Sequence, residues 1–506
     1  MQWARMMTIL AAMQGWGRAG VNFGNLQFGS PLDFNFYFPG YGEGSFSGEL
    51  AFGANAANNY QRMPHIVTMN SVRQSIPRMW FPEAITTGKA GGYITDVASV
   101  QGQFFPFFYP SPGHVPVRML YKYGSQLFGT MVNGNRWVRA YQHPSLEFIV
   151  NQSVWKEGET PYCDVILPAC TVFEKWDIGE WYNVGTGYVH HMYSMNNHRV
   201  ISLQHKCIEP LGESKSDYDI FLAVAAKLNL GAMYSEGGTS ELDWCKRVFD
   251  SSDLAKHTTW RKFLKKGYFV VPADPEPARE AVANRWYYEG RKKDTPEPYP
   301  LPSDYSGNYL DGMQTVSGKY EFIAQTLKKI DDPDRPPLNR YMPTYEDPTR
   351  NPELAGFPLK LQTAHTRYAF HVMGDDEGSS VNDIREHRVL KDGRYYLVAR
   401  LSRPDAEARG VKDDDLIRLW NHRASIVCAA QVTERIRPGV VSTYTGSARY
   451  EPVGEPGRST DLGGCVNMLN SKDSITKKGH GMKPNAVLIQ VEKWAGVDTW
   501  RPQEAL

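Results

Sequence analysis

Residues able to bind anions and amides follow apolar runs at two points in this chain. Leu146-Glu147-Phe148-Ile149-Val150 is rich in β-branched and aromatic residues and reads as a buried strand, with Asn151-Gln152-Ser153 as the polar turn that ends it. Val117 to Tyr123 reads as a second strand that ends at Gly124-Ser125. An open α/β sheet places its ligands beyond the carboxyl ends of its strands, where these hydroxyls, amides and glycine N–H groups fall. Glu157-Gly158-Glu159-Thr160 then leads into a further strand, Cys163 to Pro168, with Cys170 and Glu174 just beyond. Parallel strands with so short a connection fit a dinucleotide-type half fold. A purely structural βαβ unit carries the same pattern.

Other reactive groups exclude more than they assign. His190-His191 is a pair at adjacent positions with no third ligand at fixed spacing, so it does not read as a metal site. The six cysteines include no Cys-x-x-Cys pair, which excludes zinc and iron–sulfur spacing within this chain and a disulfide scaffold. A cytoplasmic location is the expectation. The glycine-rich stretch Gly15 to Asn22 follows an apolar helical pattern and reads as a helix C-cap and loop. Phe34 to Gly42 is an aromatic loop that either lines a pocket for a flat substrate or packs on the surface.

The elements that must position these groups fill 506 residues, enough for two to four domains. Net charge is +1, so no nucleic-acid partner is implied. No run reaches the ~20 apolar residues of a membrane span. Met1 to Gln14 reads as a helix without a signal-peptide pattern. Phe104 to Pro116 reads as a second aromatic, proline-rich loop, and Gly267 to Pro300 as a charged one. Helices are expected at Ile220 to Leu228, capped by Ser216 or Asp217, and at Thr239 to Asp250. Thr315 to Phe322 reads as a strand. Asp331 to Pro358 is charged, carries seven prolines and reads as a linker. Beyond it, short alternating runs at Leu397–Leu401, Leu416–Trp420, Ser425–Val432, Val440–Tyr444 and Ala486–Val491 read as a β-barrel.

Several stretches resemble, in order, the landmarks of the molybdopterin oxidoreductases of the dimethyl sulfoxide reductase family. They are Glu157 to Thr160, Cys163 to Ala169 with Glu174, Glu209 to Tyr218, Thr315 to Glu321, Leu361 to Tyr368, Pro404 to Asp415, Arg437 to Val441 and Gly463 to Asn467. The resemblance implies an α/β fold of Rossmann-like open sheet domains plus a C-terminal β-barrel. Residues 1–25 would end a preceding α/β domain, 26–330 form the α/β domain, 331–358 the linker and 359–506 the dinucleotide-binding barrel. It also implies bis(molybdopterin guanine dinucleotide) with molybdenum. For that group, Gly124, Ser125, Ser153, His365 and Arg367 suit diphosphate. Gln152 and Asn467 suit the pterin, and Thr363 and Thr366 belong to the matching cofactor loop. The family's metal ligand and iron–sulfur cysteines match nothing here, so an N-terminal domain is expected upstream, and this polypeptide alone is expected to be inactive.

Within the family the resemblance is to large subunits that move hydroxyl groups between trihydroxy- and tetrahydroxybenzenes. Tyr-rich Phe34–Gly42, Trp176 to Trp181 and Lys265 to Phe269 carry it. It implies a phenolic substrate, a small iron–sulfur partner subunit, and a tyrosine near the substrate. Tyr37 is the first choice, Tyr41 the second and Tyr193 a further pocket candidate. The alternatives are reduction of an oxyanion or an S- or N-oxide, or a cofactor-free relative serving as a scaffold.

Overall fold

In a computed structural model, the helix α1 (Gln2–Met13) opens the chain. The structure describes residues 2–15, 74, 76–94, 105–124, 126–180, 200–270, 316–317, 321–329, 331–344, 346–369, 373–374, 378–445, 449–472 and 487–503. Alanine, leucine, methionine and glutamine give α1 its propensity, and Gly15 ends it. Arg5, on its first turns, donates to the carbonyls of Pro336 and Pro337 at 3.0 and 2.7 Å.

The chain divides into two compact units. One is built on residues 76–94, 106–168 and 341–506, the other on 169–340 with α1. In the first, the short helix α2 (Phe81–Thr86) packs on α3 (Gly134–Tyr141), where Phe81 stacks on Trp137 with ring centroids 5.4 Å apart. Strands β1 (Ala90–Ile94) and β2 (Phe105–Tyr109) form a two-stranded sheet, so the expected loop at 104–116 begins as a strand. Its alternate aromatic residues suit a pleated surface better than the proline-rich tail suggested.

The sheet that carries the polar residues runs β3 (Met119–Tyr123), β4 (Phe148–Ser153) and β5 (Val165–Pro168), all parallel. Asn151, Gln152 and Ser153 are therefore the last residues of β4, not a turn. Asn151 pairs with Lys122 on one side and Ile166 on the other. Polar side chains persist in this central strand because buried partners, described below, replace water.

The C-terminal part forms a closed six-stranded barrel. Its strands are β9 (Leu359–Ala364), β11 (Arg394–Leu401), β12 (Leu416–Trp420), β13 (Ser425–Val432), β14 (Val440–Tyr444) and β15 (Val487–Lys493). The order β11-β13-β12-β15-β9-β14 closes where β14 pairs back on β11, and β10 (Arg388–Lys391) adds a hairpin to β11. Period-two patterning sets the interior. Along β9, Leu359, Leu361 and Thr363 are buried while Lys360, Gln362 and Ala364 are exposed. Leu397, Ile417, Ile426 and Ile489 fill the same core, which also takes Phe128, Met131 and Trp137. Each such aliphatic side chain contributes about 1.5–3 kcal/mol on burial.

Residues 341–358, expected to be part of a linker, pack onto the barrel. Leu354 and Phe357 are buried with Leu488 beside Trp420, and Glu346 is buried against Arg423. The grouping of residues 76–168 with the barrel also differs from the boundaries expected at 26–330 and 359–506.

The second unit holds the antiparallel sheet β6 (Asp177–Glu180), β7 (Val200–Gln204) and β8 (Tyr268–Val270). Ile178, Ile201 and Leu203 meet Cys245, Val248 and Phe249 of the helix Glu241–Ser251 and Phe263 of the helix Trp260–Lys266. Ser240 and Asp243 close a capping box on the former, and Ser216 caps Asp217–Lys227 by accepting from the Asp219 N–H at 3.1 Å. In the strand expected at 315–322, Val316 and Ser317 form a turn, and Glu321 and Phe322, also described, are in no strand.

Candidate functional site

Tyr123, Gln152, Ser153 and Pro168 stand at the carboxyl edge of the β3-β4-β5 sheet. Gly124 leaves β3 at φ +55° and donates its N–H to the Gln152 carbonyl at 2.9 Å. Among the described residues a Cβ there would meet nothing within 4 Å, so the glycine is required by its left-handed backbone and no described side chain fills the turn. The Tyr121 hydroxyl donates to Gln152 Oε1 at 2.5 Å and fixes that amide.

Beneath this edge lies a buried ion cluster. Lys122 Nζ is 3.1 Å from Glu157 Oε2 and 3.1 Å from Glu159 Oε1, with both carboxylates fully enclosed. Glu157 also accepts from Asn151 Nδ2 at 3.1 Å, from Thr160 Oγ1 at 3.3 Å and from the Ser153 hydroxyl. Glu159 accepts the Leu127 N–H at 2.6 Å. Burial holds the Glu159 carboxyl above the usual range; Lys122 and the Leu127 N–H oppose that shift, and Glu157 adds to it. The loop passes close to Tyr450: a Cβ on Gly158 would sit 2.8 Å from the Tyr450 Cβ.

A second strand edge in the same unit carries the remaining polar residues. Parallel pairing aligns Thr363 with Thr443 and Ala364 with Tyr444, and the Thr445 N–H donates to the Ala364 carbonyl at 2.7 Å. His365 and Arg367 follow, both exposed, with the Arg367 guanidinium 5.7 Å from the Tyr368 ring centre. Thr366 Oγ1 accepts the Tyr368 N–H at 3.3 Å, and the Tyr368 hydroxyl donates to Glu386 at 2.8 Å. Buried His387 packs against the rings of Tyr368 and Tyr444, which also meet edge-on, and Arg400 covers Tyr444 at 4.9 Å.

Asn467 holds structure instead of facing outward. Its Nδ2 donates to the Gly129 carbonyl at 2.8 Å and its Oδ1 accepts from Asn470 at 2.7 Å. Nearby, buried Asp461 accepts the N–H groups of Glu451, Gly463 and Cys465 at 2.7, 2.9 and 2.8 Å. Burial pushes its carboxyl up to about 6, against the N–H groups of Cys465, Gly463 and Gly464 and the charge of Arg388. Glu174 staples the second unit: it accepts from Thr171 N and Oγ1 at 2.6 and 2.7 Å and from Leu211 N at 2.6 Å, which holds its carboxyl down at about 2.

The structure thus gathers Gly124, Gln152 and Ser153 at one edge and Thr363, His365, Thr366 and Arg367 at another. Ser125, Tyr37, Tyr41 and Tyr193 lie outside the described residues. Glu157 and Glu159 are legible in the sequence only as part of a family landmark, and no motif there marks Lys122 or Asp461 as a buried charge. A lysine inside the apolar run Leu120-Tyr121-Lys122-Tyr123, with two acids just past the next strand, was the available signal. Among the described residues no group of three His, Cys, Asp or Glu could hold a metal ion, and no helix is long and apolar enough to cross a membrane.

The family model described as Molybdopterin oxidoreductase matches residues 2–227, and that of the Molydopterin dinucleotide binding domain matches residues 361–487. The chain belongs to the molybdopterin oxidoreductase family. It is 45% identical over 516 residues to the pyrogallol hydroxytransferase large subunit of Pelobacter acidigallici, covering 98% of this chain and 58% of that protein. It is 28% identical to the dimethyl sulfoxide/trimethylamine N-oxide reductase of Rhodobacter capsulatus, over 80% of this chain and 44% of the reductase. The chain therefore spans about half the length of these curated relatives. Acetylene hydratase from Pelobacter acetylenicus shares the fold, with a TM-score of 0.51 at 15% identity over 76% of this chain and 45% of its own. The residues present suit a molybdopterin dinucleotide. An open glycine turn with neighbouring amide and hydroxyl groups fits phosphate and pterin, and exposed Arg367 and His365 supply cationic and polar groups.

Proposed function

We propose that this chain is part of the catalytic subunit of a molybdenum enzyme that transfers hydroxyl groups between trihydroxy- and tetrahydroxybenzenes, converting pyrogallol to phloroglucinol. The 45% identity to a pyrogallol hydroxytransferase large subunit along 98% of this chain carries the reading. Bis(molybdopterin guanine dinucleotide) is the proposed cofactor, and it supplies a redox-active molybdenum centre when bound. Gly124, Ser125, Ser153, His365 and Arg367 face its diphosphates in this reading, Gln152 and Asn467 serve the pterin, and Thr363 and Thr366 shape the loop around it. Asn467 acts through its main chain or its hold on Gly129, because its side-chain amide is engaged. Tyr37, Tyr41 and Tyr193 are the proposed substrate-side residues.

The Pelobacter relative is a large subunit, which supports a small partner subunit, proposed here to carry iron–sulfur clusters. The cysteines form no disulfide among the described residues, which supports a reducing cytoplasm. A second reading, reduction of an S- or N-oxide, rests on the 28% identity to the Rhodobacter reductase. Turnover by the purified holoenzyme decides between them. Pyrogallol conversion is expected. Reduction of trimethylamine N-oxide or dimethyl sulfoxide with no action on pyrogallol overturns the phenolic reading, and a protein that purifies without molybdenum overturns both in favour of a scaffold.

A further inference from the structure

The buried Lys122–Glu157–Glu159 cluster touches no surface through which a ligand could be held, yet each member reaches a different part of the polar edge. Lys122 belongs to β3, one residue before Tyr123 and two before Gly124. Through Glu159 the cluster takes the Leu127 N–H, and so anchors the segment that follows the glycine turn. Through Glu157 it takes the Ser153 hydroxyl and Asn151 Nδ2, and so anchors the end of β4. One ammonium thus ties together Leu127 and Phe128, which follow the glycine turn, and the segment Asn151 to Thr160. A buried ammonium between two carboxylates is a costly way to gain stability, since apolar residues of similar volume serve as well or better. What such a cluster supplies is a single geometry. The hydrogen bonds that the two carboxylates accept from the Leu127 N–H, Asn151 Nδ2 and the Ser153 hydroxyl are directional, and the ammonium 3.1 Å from both holds the two charges together.

We propose that Lys122, with Glu157 and Glu159, is the positioning element of the dinucleotide site, setting the Gly124 turn and the end of β4 in the spacing that the cofactor's diphosphate requires. The inference rests on the cofactor named above. The three side chains are buried, and they act through Gly124, which follows Lys122 by two residues, and through Ser153, whose hydroxyl Glu157 holds. Rigid placement of contacting groups by a supporting shell is worth on the order of 10–100-fold in affinity in comparable sites.

The test is nucleotide retention by the purified holoenzyme. GMP released by acid hydrolysis counts bound cofactor, and its loss during dilution at a temperature well below unfolding gives the dissociation rate. Lys122→Met is expected to release cofactor at least about 10-fold faster than wild type. Because that variant leaves two carboxylates buried against no cation and can fail to fold, the neutral triple variant K122M/E157Q/E159Q is the second arm. It removes every charge while keeping shape, so its melting temperature is expected to stay within a few degrees of wild type. Its cofactor is still expected to leave about 10-fold faster. A triple variant with wild-type GMP content and dissociation rate overturns the proposal, because a merely structural cluster would leave retention unmoved. A wild-type enzyme that yields no GMP overturns the cofactor assignment instead, whatever the variants do.

Discussion

Asp461 shows at the scale of one residue how burial competes with hydrogen bonding. Full burial lifts the carboxyl from 3.8 to about 6, although the N–H groups of Cys465, Gly463 and Gly464 and the charge of Arg388 favour its charged form. The folded protein therefore binds this proton more tightly than the unfolded chain. Asp461's contribution to stability is fully present below pH ~4 and falls as pH rises through 6, by up to about 3 kcal/mol. Urea titrations of wild type and Asp461→Asn at pH 4, 5, 6 and 7 check this. The variant is expected to be less stable at pH 4, where one donor faces another, and to lose the downward slope between pH 4 and 6. Equal slopes in both proteins would remove the assignment. For Tyr37 the resemblance implies a place near the substrate. A phenol hydroxyl beside the substrate acts as acid, base or donor, so Tyr37→Phe is expected to lower turnover roughly 10²–10⁴-fold with molybdenum content unchanged. Near-normal turnover moves the role to Tyr41 or off this loop.

At the scale of elements, the loop between β4 and β5 is shaped by close approach. Gly158 runs against Tyr450, whose Cβ would lie 2.8 Å and backbone nitrogen 3.1 Å from any added Cβ. Tyr450 cannot retreat, since its hydroxyl accepts the Gly457 N–H at 2.7 Å and its ring packs on Phe128 and Tyr162. Gly158→Ala is expected to cost about 1–3 kcal/mol, read as a lowered midpoint in thermal unfolding, and to loosen the hold of Glu157 and Glu159 on the sheet edge. An unchanged midpoint would mean the loop yields freely. The sequence showed this sheet well: parallel β3, β4 and β5 follow from apolar runs at the right spacing. It hid the end of β4, because Asn-Gln-Ser reads as a turn wherever its burial partners are unknown. Lys122 illustrates why the supporting shell escaped notice. Charge in a strand is legible, but its partners lie 35 and 37 positions further on, and only the fold brings them to 3.1 Å.

At the scale of the whole molecule, the barrel strands were visible from alternation, as β11 to β15 show, and the family landmarks ran through both units in order. The stretch before the barrel was not legible. Prolines and charges between residues 331 and 358 suggest a solvated connector, but composition does not register a few apolar anchors. Leu354 and Phe357 pack on the barrel wall, and Glu346 receives Arg423 Nη2 at 2.8 Å and the Leu488 N–H at 2.9 Å. Arg423 in turn donates to the Leu469 carbonyl at 2.8 Å, so one carboxylate joins this strap to β15 and to the 465–470 turn that holds Asn467. A connector and a strap predict different outcomes for Glu346→Ala. In a solvated connector the change falls within about 0.5 kcal/mol of neutral. In a strap it leaves a buried guanidinium and an orphaned N–H, and is expected to cost about 3–5 kcal/mol. Denaturant unfolding of the variant, followed by tryptophan fluorescence that includes Trp420 beside Phe357, measures the difference. A midpoint indistinguishable from wild type would restore residues 341–358 to the role of a linker.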